Sequence, residues 1–102
     1  MKRYRILYSN QFWIDFRNVL DCIMEASSST RSAEKWYNKI MERINSLQVM
    51  PNLNPACWFD ERYRSTNVGK YKIVYQVVES VKEVRISRLL LGRRNLAGIF
   101  AS

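Results

Sequence analysis

Apolar positions along this chain change period several times, and each change marks an element. Residues 4–8 alternate: Tyr4, Ile6 and Tyr8 share one face and Arg3, Arg5 and Leu7 the other, which predicts a short strand. Ser9 or Asn10 can cap a helix that begins directly after the strand. Over residues 11–27 the period becomes helical. Phe12, Phe16, Val19, Leu20 and Ile23 make one wide apolar stripe, with Asp15, Arg17, Asn18, Asp21 and Glu25 off it. Ser27, Ser28, Ser29 and Thr30 break that helix and cap the next. A second helix is expected over 31–48, with Ala33, Trp36, Tyr37, Ile40, Ile44 and Leu47 as its stripe. Pro51 ends it, because a residue before proline is pushed out of the helical region.

The last half of the chain reads as sheet. Residues 51–55 form a loop between two prolines. Residues 58–67 carry a weak strand pattern, with Arg62 and Arg64 on one face and Tyr63 on the other. Val68, Gly69 and Lys70 turn the chain into residues 70–78, where β-branched and aromatic residues stand at almost every position. Such a run suits a central strand buried on both faces. A polar turn over 78–83 leads to a last apolar run that ends at Gly92, a hinge followed by Arg93 and Arg94. The order is β-α-α-β-β-β: an N-terminal strand and an antiparallel helical hairpin packed on a mainly antiparallel sheet, an α+β fold. With 102 residues and no internal repeat, the whole chain, 1–102, is expected to be one domain.

Charge changes the picture. The formal charge is +8 and the pI about 9.9, which favours a polyanionic partner. Residues 10–50 are neutral overall, whereas 1–9 carry +3 and 51–102 carry +5, so the excess lies in the strand-like parts. Arg62, Arg64, Lys70, Lys72, Arg85, Arg88, Arg93 and Arg94 are candidates for one basic cluster across neighbouring strands. Arginine suits phosphate or carboxylate because its forked donors match two oxygens at once.

Composition removes several chemistries. There is no histidine, which excludes a Ser-His-Asp or Cys-His nucleophile system and the commonest metal ligand. Cys22 and Cys57 stand far apart and read as small apolar residues in a reducing compartment; no metal and no cofactor is expected. No glycine-rich phosphate loop occurs. No apolar leader and no run long enough for a membrane span is present, so a cytoplasmic setting without membrane association is expected.

Two stretches carry a resemblance. Val68-Gly69-Lys70-Tyr71-Lys72-Ile73-Val74-Tyr75 resembles the "VG-x-YRI-x-Y" strand of the ParE/RelE superfamily of bacterial toxins. Leu91-Gly92-Arg93-Arg94-Asn95-Leu96-Ala97-Gly98-Ile99-Phe100 is similar to the "HGRRD" ending of the ParE branch, with Leu91 and Asn95 in place of the histidine and aspartate. The resemblance implies the toxin of a type II toxin–antitoxin (plasmid stabilisation) system. Its partner would be a ParD- or RelB-like antitoxin, acidic and apolar at its C-terminus, that folds on binding.

The branches imply different targets. ParE-like members act on DNA gyrase and trap it on DNA, with no hydrolysis by the toxin. RelE-like members cut messenger RNA on the ribosome, using basic side chains and often a tyrosine. The match leans toward ParE: Lys72 stands where RelE-type enzymes usually place an arginine, and Phe100 stands where their C-terminal tyrosine would fall. The residues expected to bind target or antitoxin are Arg62, Arg64, Lys72, Arg85, Arg88, Arg93, Arg94 and Phe100. A RelE-like endoribonuclease remains the alternative, with Lys70, Lys72, Arg62 and Arg93 as its phosphate-handling set. A third reading, from a different class, is a non-toxic basic module that binds nucleic acid, with a steep dependence on salt.

Overall fold

The computed structural model describes residues 3–57 and 60–92. Its elements are β1 (Arg5–Tyr8), α1 (Asn10–Ser27), α2 (Thr30–Ser46), β2 (Ala56–Cys57), β3 (Asp60–Val68), β4 (Tyr71–Val78) and β5 (Glu83–Leu91). The five strands form one sheet in the order β1-β5-β4-β3-β2. All pairs are antiparallel except β1 with β5, which is parallel. A helical hairpin on a mainly antiparallel sheet is thus the architecture.

Local chemistry sets the element ends. Ser9 precedes α1 in extended conformation, and its Oγ accepts the Phe12 amide at 3.0 Å. Ser28 ends α1 in the left-handed region at φ 53°, its amide donating to Met24 O at 2.8 Å. Ser29 at once caps α2. The expected loop after α2 contains a 3₁₀ turn, Pro51–Leu53, and the β4–β5 connection another, Glu79–Val81, closed by Lys82 at φ 52°.

The helical hairpin covers one sheet face. Phe12, Phe16, Ile40, Ile44 and Leu47 pack there against Tyr71, Ile73, Tyr75, Val84, Ile86 and Leu89, with Ile6 and Tyr8 at the margin. Burial of each large apolar side chain contributes about 2 kcal/mol. On the other face a small cluster of Cys57, Val74 and Leu90, with Tyr63 against it, holds β2 to the sheet. Ile73, Val74 and Tyr75 are all fully buried, so β4 is the two-sided central strand that its composition implied.

Two details shape the site. Val74 pairs with Arg88 but Tyr75 pairs with Ile86, leaving Ser87 as the extra residue of a bulge in β5. β1 pairs with β5 only up to Tyr8 and Ile86. There Ser9 takes over, donating from its amide to Ile86 O at 3.0 Å and from Oγ to Ser87 O at 2.7 Å. The start of α1 is therefore fastened to the bulge.

Two expectations need correction. Asp15, placed off the apolar stripe of α1, is buried with 8% exposure. Of the two cysteines read as small apolar residues, Cys57 is buried whereas Cys22 is exposed.

Candidate functional site

The sheet face away from the helices is the candidate site, because it gathers the basic strand residues and no helix covers it. Strand alternation puts Arg5 and Leu7 of β1 on this face. Glu83, Arg85, Arg88 and Leu90 follow from β5, then Lys72, Val74 and Gln76 from β4, and Tyr63, Ser65 and Asn67 from β3. Lys72 lies across from Leu90 on one side and Asn67 on the other.

Most of the arginines expected here are already engaged. Glu83 accepts Arg85 Nε at 3.1 Å and Nη2 at 2.9 Å on one oxygen, and Arg5 Nη2 on the other. Arg5, followed by Arg85, holds the Glu83 carboxyl below the usual range. Arg88 sends Nε to Asp15 Oδ2 at 2.7 Å and Nη2 to Oδ1 at 3.1 Å. Arg62 makes a similar fork with Asp60, Nη2 to Oδ2 at 2.6 Å, and those hydrogen bonds lower the Asp60 pKa and raise that of Arg62.

Arg64 belongs to the helix-covered face with its partner Tyr75. Its Nη1 donates to Asn54 O, while Tyr75 donates to Pro51 O at 2.6 Å, so both hold the loop that follows α2. Burial pushes the Tyr75 hydroxyl pKa up.

Lys72 differs from these arginines. Among the described residues it carries no ion pair, and it stands at the margin of the Cys57, Val74 and Leu90 cluster. Burial raises the Cys57 thiol pKa, against the smaller pull of a Ser65 hydrogen bond and of Lys72 itself. The thiol is thus kept as the neutral, unreactive form.

Lys70 sits in the β3–β4 turn, its Nζ 5.5 Å from the Tyr71 ring centre. The Gly92 amide donates to Lys70 O at 2.9 Å, which places the start of the GRRN stretch beside that turn. Arg93, Arg94 and Phe100 lie outside the described residues. The structure therefore brings Arg5, Lys72, Arg85 and Arg88 to one face and separates Arg64 from them.

Sequence reasoning missed the acids that organise these cations, Asp15 and Glu83. Asp15 had a signal: it falls three residues after Phe12 and next to Phe16, the spacing of a buried helical position. Glu83 had half of one: Arg85 stands two residues on, on the same strand face, whereas Arg5 is brought opposite it by strand register. A second polar centre was also missed. Glu79 accepts Tyr4 Oη, Asn52 Nδ2 and Lys82 Nζ at 2.8–2.9 Å, tying the chain start, the loop after α2 and the β4–β5 turn together. Asn52, then Lys82 and Tyr4, hold its pKa at about 2.

On the outer side of the helical hairpin lies an apolar groove of about 270 Å³, lined by Trp13, Phe16, Leu20 and Tyr37 with Arg17 and Asp21 at its edge. Trp13 and Tyr37 are nearly half exposed, and Tyr37 stacks on Phe16 at 5.4 Å. Among the described residues there is no metal-binding group of acidic, cysteine or histidine side chains, and no helix is long and apolar enough to cross a membrane.

A helical hairpin on a mainly antiparallel sheet is a fold this chain shares with solved toxin–antitoxin structures. The family model of the ParE toxin of the parDE type II system matches residues 3–96, and the chain belongs to that family. Among solved structures it is similar to the chromosomal ParDE system of P. aeruginosa, with a TM-score of 0.74 and 16% identity over 87% of this chain and 96% of that one. It is also similar to a free, doubly substituted E. coli RelE toxin (TM-score 0.65, 11% identity, 95% and 92% covered). A third is the RelBE2 toxin–antitoxin complex of Mycobacterium tuberculosis (TM-score 0.64, 14% identity, 87% and 98% covered). At these identities the likeness is one of fold. No curated protein sequence matches the chain.

Proposed function

We propose that this type II toxin acts on DNA gyrase, trapping it on DNA, and that a cognate ParD-like antitoxin neutralises it. The observation that carries the reading is the ParE family match over residues 3–96. The open face supports it. Cleaving RNA calls for several donors free to converge on one phosphate. Here Arg85 and Arg88 are each bound to a carboxylate, and Lys72 is the cation of the face without an ion pair among the described residues. Such a surface suits binding better than phosphate chemistry.

The antitoxin reading has two supports. The net charge of +8 favours an acidic partner, and the groove at Trp13, Phe16, Leu20 and Tyr37 offers an apolar seat beside it. The open sheet face supplies the basic counterpart, with Lys72 and the edge arginines Arg5 and Arg85 within reach of an extended acidic segment.

The deciding experiment runs two reactions with the same purified toxin. One follows gyrase supercoiling and cleavage-complex accumulation. The other follows messenger integrity in a translating extract. Accumulated gyrase–DNA complexes with intact messenger are expected. Cut messenger with unaffected gyrase would overturn the gyrase reading and move attention to Lys70, Lys72, Arg62 and Arg93.

A further inference from the structure

Residues 10–50 are neutral in sum, yet four of their five cations stand in one row on α2. Arg31, Lys35, Lys39 and Arg43 stand at i, i+4, i+8 and i+12 on α2, so they follow one another at about 6 Å along the helix axis. All four are exposed, and among the described residues none carries an ion pair. Lys39 instead lies over the Trp36 ring, 5.0 Å from its centre.

The lower end of this row opens into a groove of about 500 Å³ between α2 and the β3–β4 turn, lined by Lys39, Glu42, Arg43, Ser46, Val68 and Gly69. Glu42 is the acid in that lining, and it pairs with neither cation. Lys70, exposed, follows Gly69 in the same turn. The backbone approaches α2 closely here: a Cβ on Gly69 would lie 2.5 Å from the Trp36 ring. The turn and the helix row are therefore held as one surface, separate from the open sheet face.

We propose that this row of cations, with the groove at its end, is a second binding surface that takes the phosphodiester backbone of a nucleic acid. The pitch of the row is close to the distance between successive phosphates of one strand, so each cation can meet its own phosphate. Ser46, whose hydroxyl donates to Arg43 O at 2.6 Å, keeps the lining beside them small, and Val68 is its apolar member. An acidic and apolar protein segment fits better in the hairpin groove at Trp13, whose lining is almost wholly apolar, whereas about half of this groove is polar and two of its lining residues are cations. The surface carries no base-reading arrangement, so binding is independent of sequence and strongly dependent on salt. The inference does not rest on gyrase being the target.

The test uses the full-length protein and labelled oligonucleotides of about 20 units, one duplex DNA and one single-stranded RNA, titrated by fluorescence anisotropy from ~50 to ~200 mM salt. The double variant Lys39→Gln, Arg43→Gln is compared with Arg3→Gln, Lys82→Gln, which removes the same charge elsewhere. Glutamine sustains a helix, and circular dichroism checks that both pairs fold. The row variant is expected to lose at least about tenfold in affinity and to lower the duplex salt slope by about 2, close to 0.9 per lost phosphate contact. Loss in both arms means that the shared backbone is read; loss in one arm names DNA or RNA as the source. The charge-preserving pair Lys39→Arg, Arg43→Lys should bind like the parent. Equal weakening in the control pair, unchanged binding in the row variant, or equally tight binding of polyglutamate by the parent would each overturn the proposal.

Discussion

The Asp15 carboxylate receives the Arg88 guanidinium through two hydrogen bonds, at 2.7 and 3.1 Å, across 73 positions of sequence. Its Oδ2 also accepts the Leu89 amide at 3.1 Å. That amide lies on the edge of β5 beyond the last residue that β1 pairs with. A helix side chain thus completes the strand edge where the neighbouring strand has ended, and it holds β5 on its way to Gly92. Arg88 is in this sense a structural cation.

Asp15 is 8% exposed and Arg88 23%, so separating them leaves a charge poorly solvated. Asp15→Ala should cost about 2–4 kcal/mol in urea unfolding, and Asp15→Asn less, because its amide oxygen still accepts from Leu89. Replacing both partners with apolar residues, Asp15→Leu with Arg88→Met, should recover a good part of the loss. A double variant less stable than Asp15→Ala would contradict this account.

Lys72 should show the opposite behaviour. Lys72→Gln is expected to leave stability within about 0.5 kcal/mol of the parent, since no ion pair is broken. It should nonetheless weaken growth arrest when the toxin is expressed without antitoxin. Arg88→Ala should lower the melting temperature first. Equal growth arrest by Lys72→Gln and the parent would remove the open face from the binding surface.

Gly69 has φ +58°, and a Cβ there would meet Trp36 Cη2 at 2.5 Å. Gly69→Ala combines backbone strain with a clash, and about 2–3 kcal/mol of destabilisation is expected. Shortening the obstacle with Trp36→Leu should relieve the clash but not the strain. In thermal unfolding, the effect of Gly69→Ala should therefore be smaller in the Trp36→Leu background than in the parent.

Glu79 ties acid stability to one network. Its folded pKa is about 2, held down by Asn52, Lys82 and Tyr4, against an ordinary value of 4.5. A folded pKa below the unfolded one means that the stabilisation is present above about pH 4.5 and is lost as pH falls toward 2. Glu79→Gln should thus flatten the fall in melting temperature between pH 4.5 and pH 2. Glu83 and Asp60, also lowered by arginines, should keep part of the slope. Parent and variant curves that run parallel would show that the network does not persist in solution.

Element order apart from the two-residue strand β2, the helix stripes apart from the half-exposed Tyr37, and the two-sided burial of β4 could be read from the chain, because periodicity and capping are local properties. So could the family, through the stretches around Tyr71 and Gly92. The strand start at Asp60 differs by two residues from the pattern's beginning at 58, and residues 58 and 59 lie outside the described ones. Residue type alone marked Arg62, Arg64, Arg85 and Arg88 as equivalent candidates.

Only the tertiary structure distinguished them. Arg64 and Lys72 are eight residues apart in sequence, yet lie on opposite faces, because Arg64 pairs with Tyr75 and Asn67 with Lys72. Arg88 meets Asp15 because the pairing of β1 stops at Ile86 and α1 continues along the same edge. The cations of α2 form a surface because a helix brings every fourth residue to one side. A chain's own pattern determines which residues turn inward; which charge stands beside which is decided by the register of segments far apart in sequence, and no local period encodes that register.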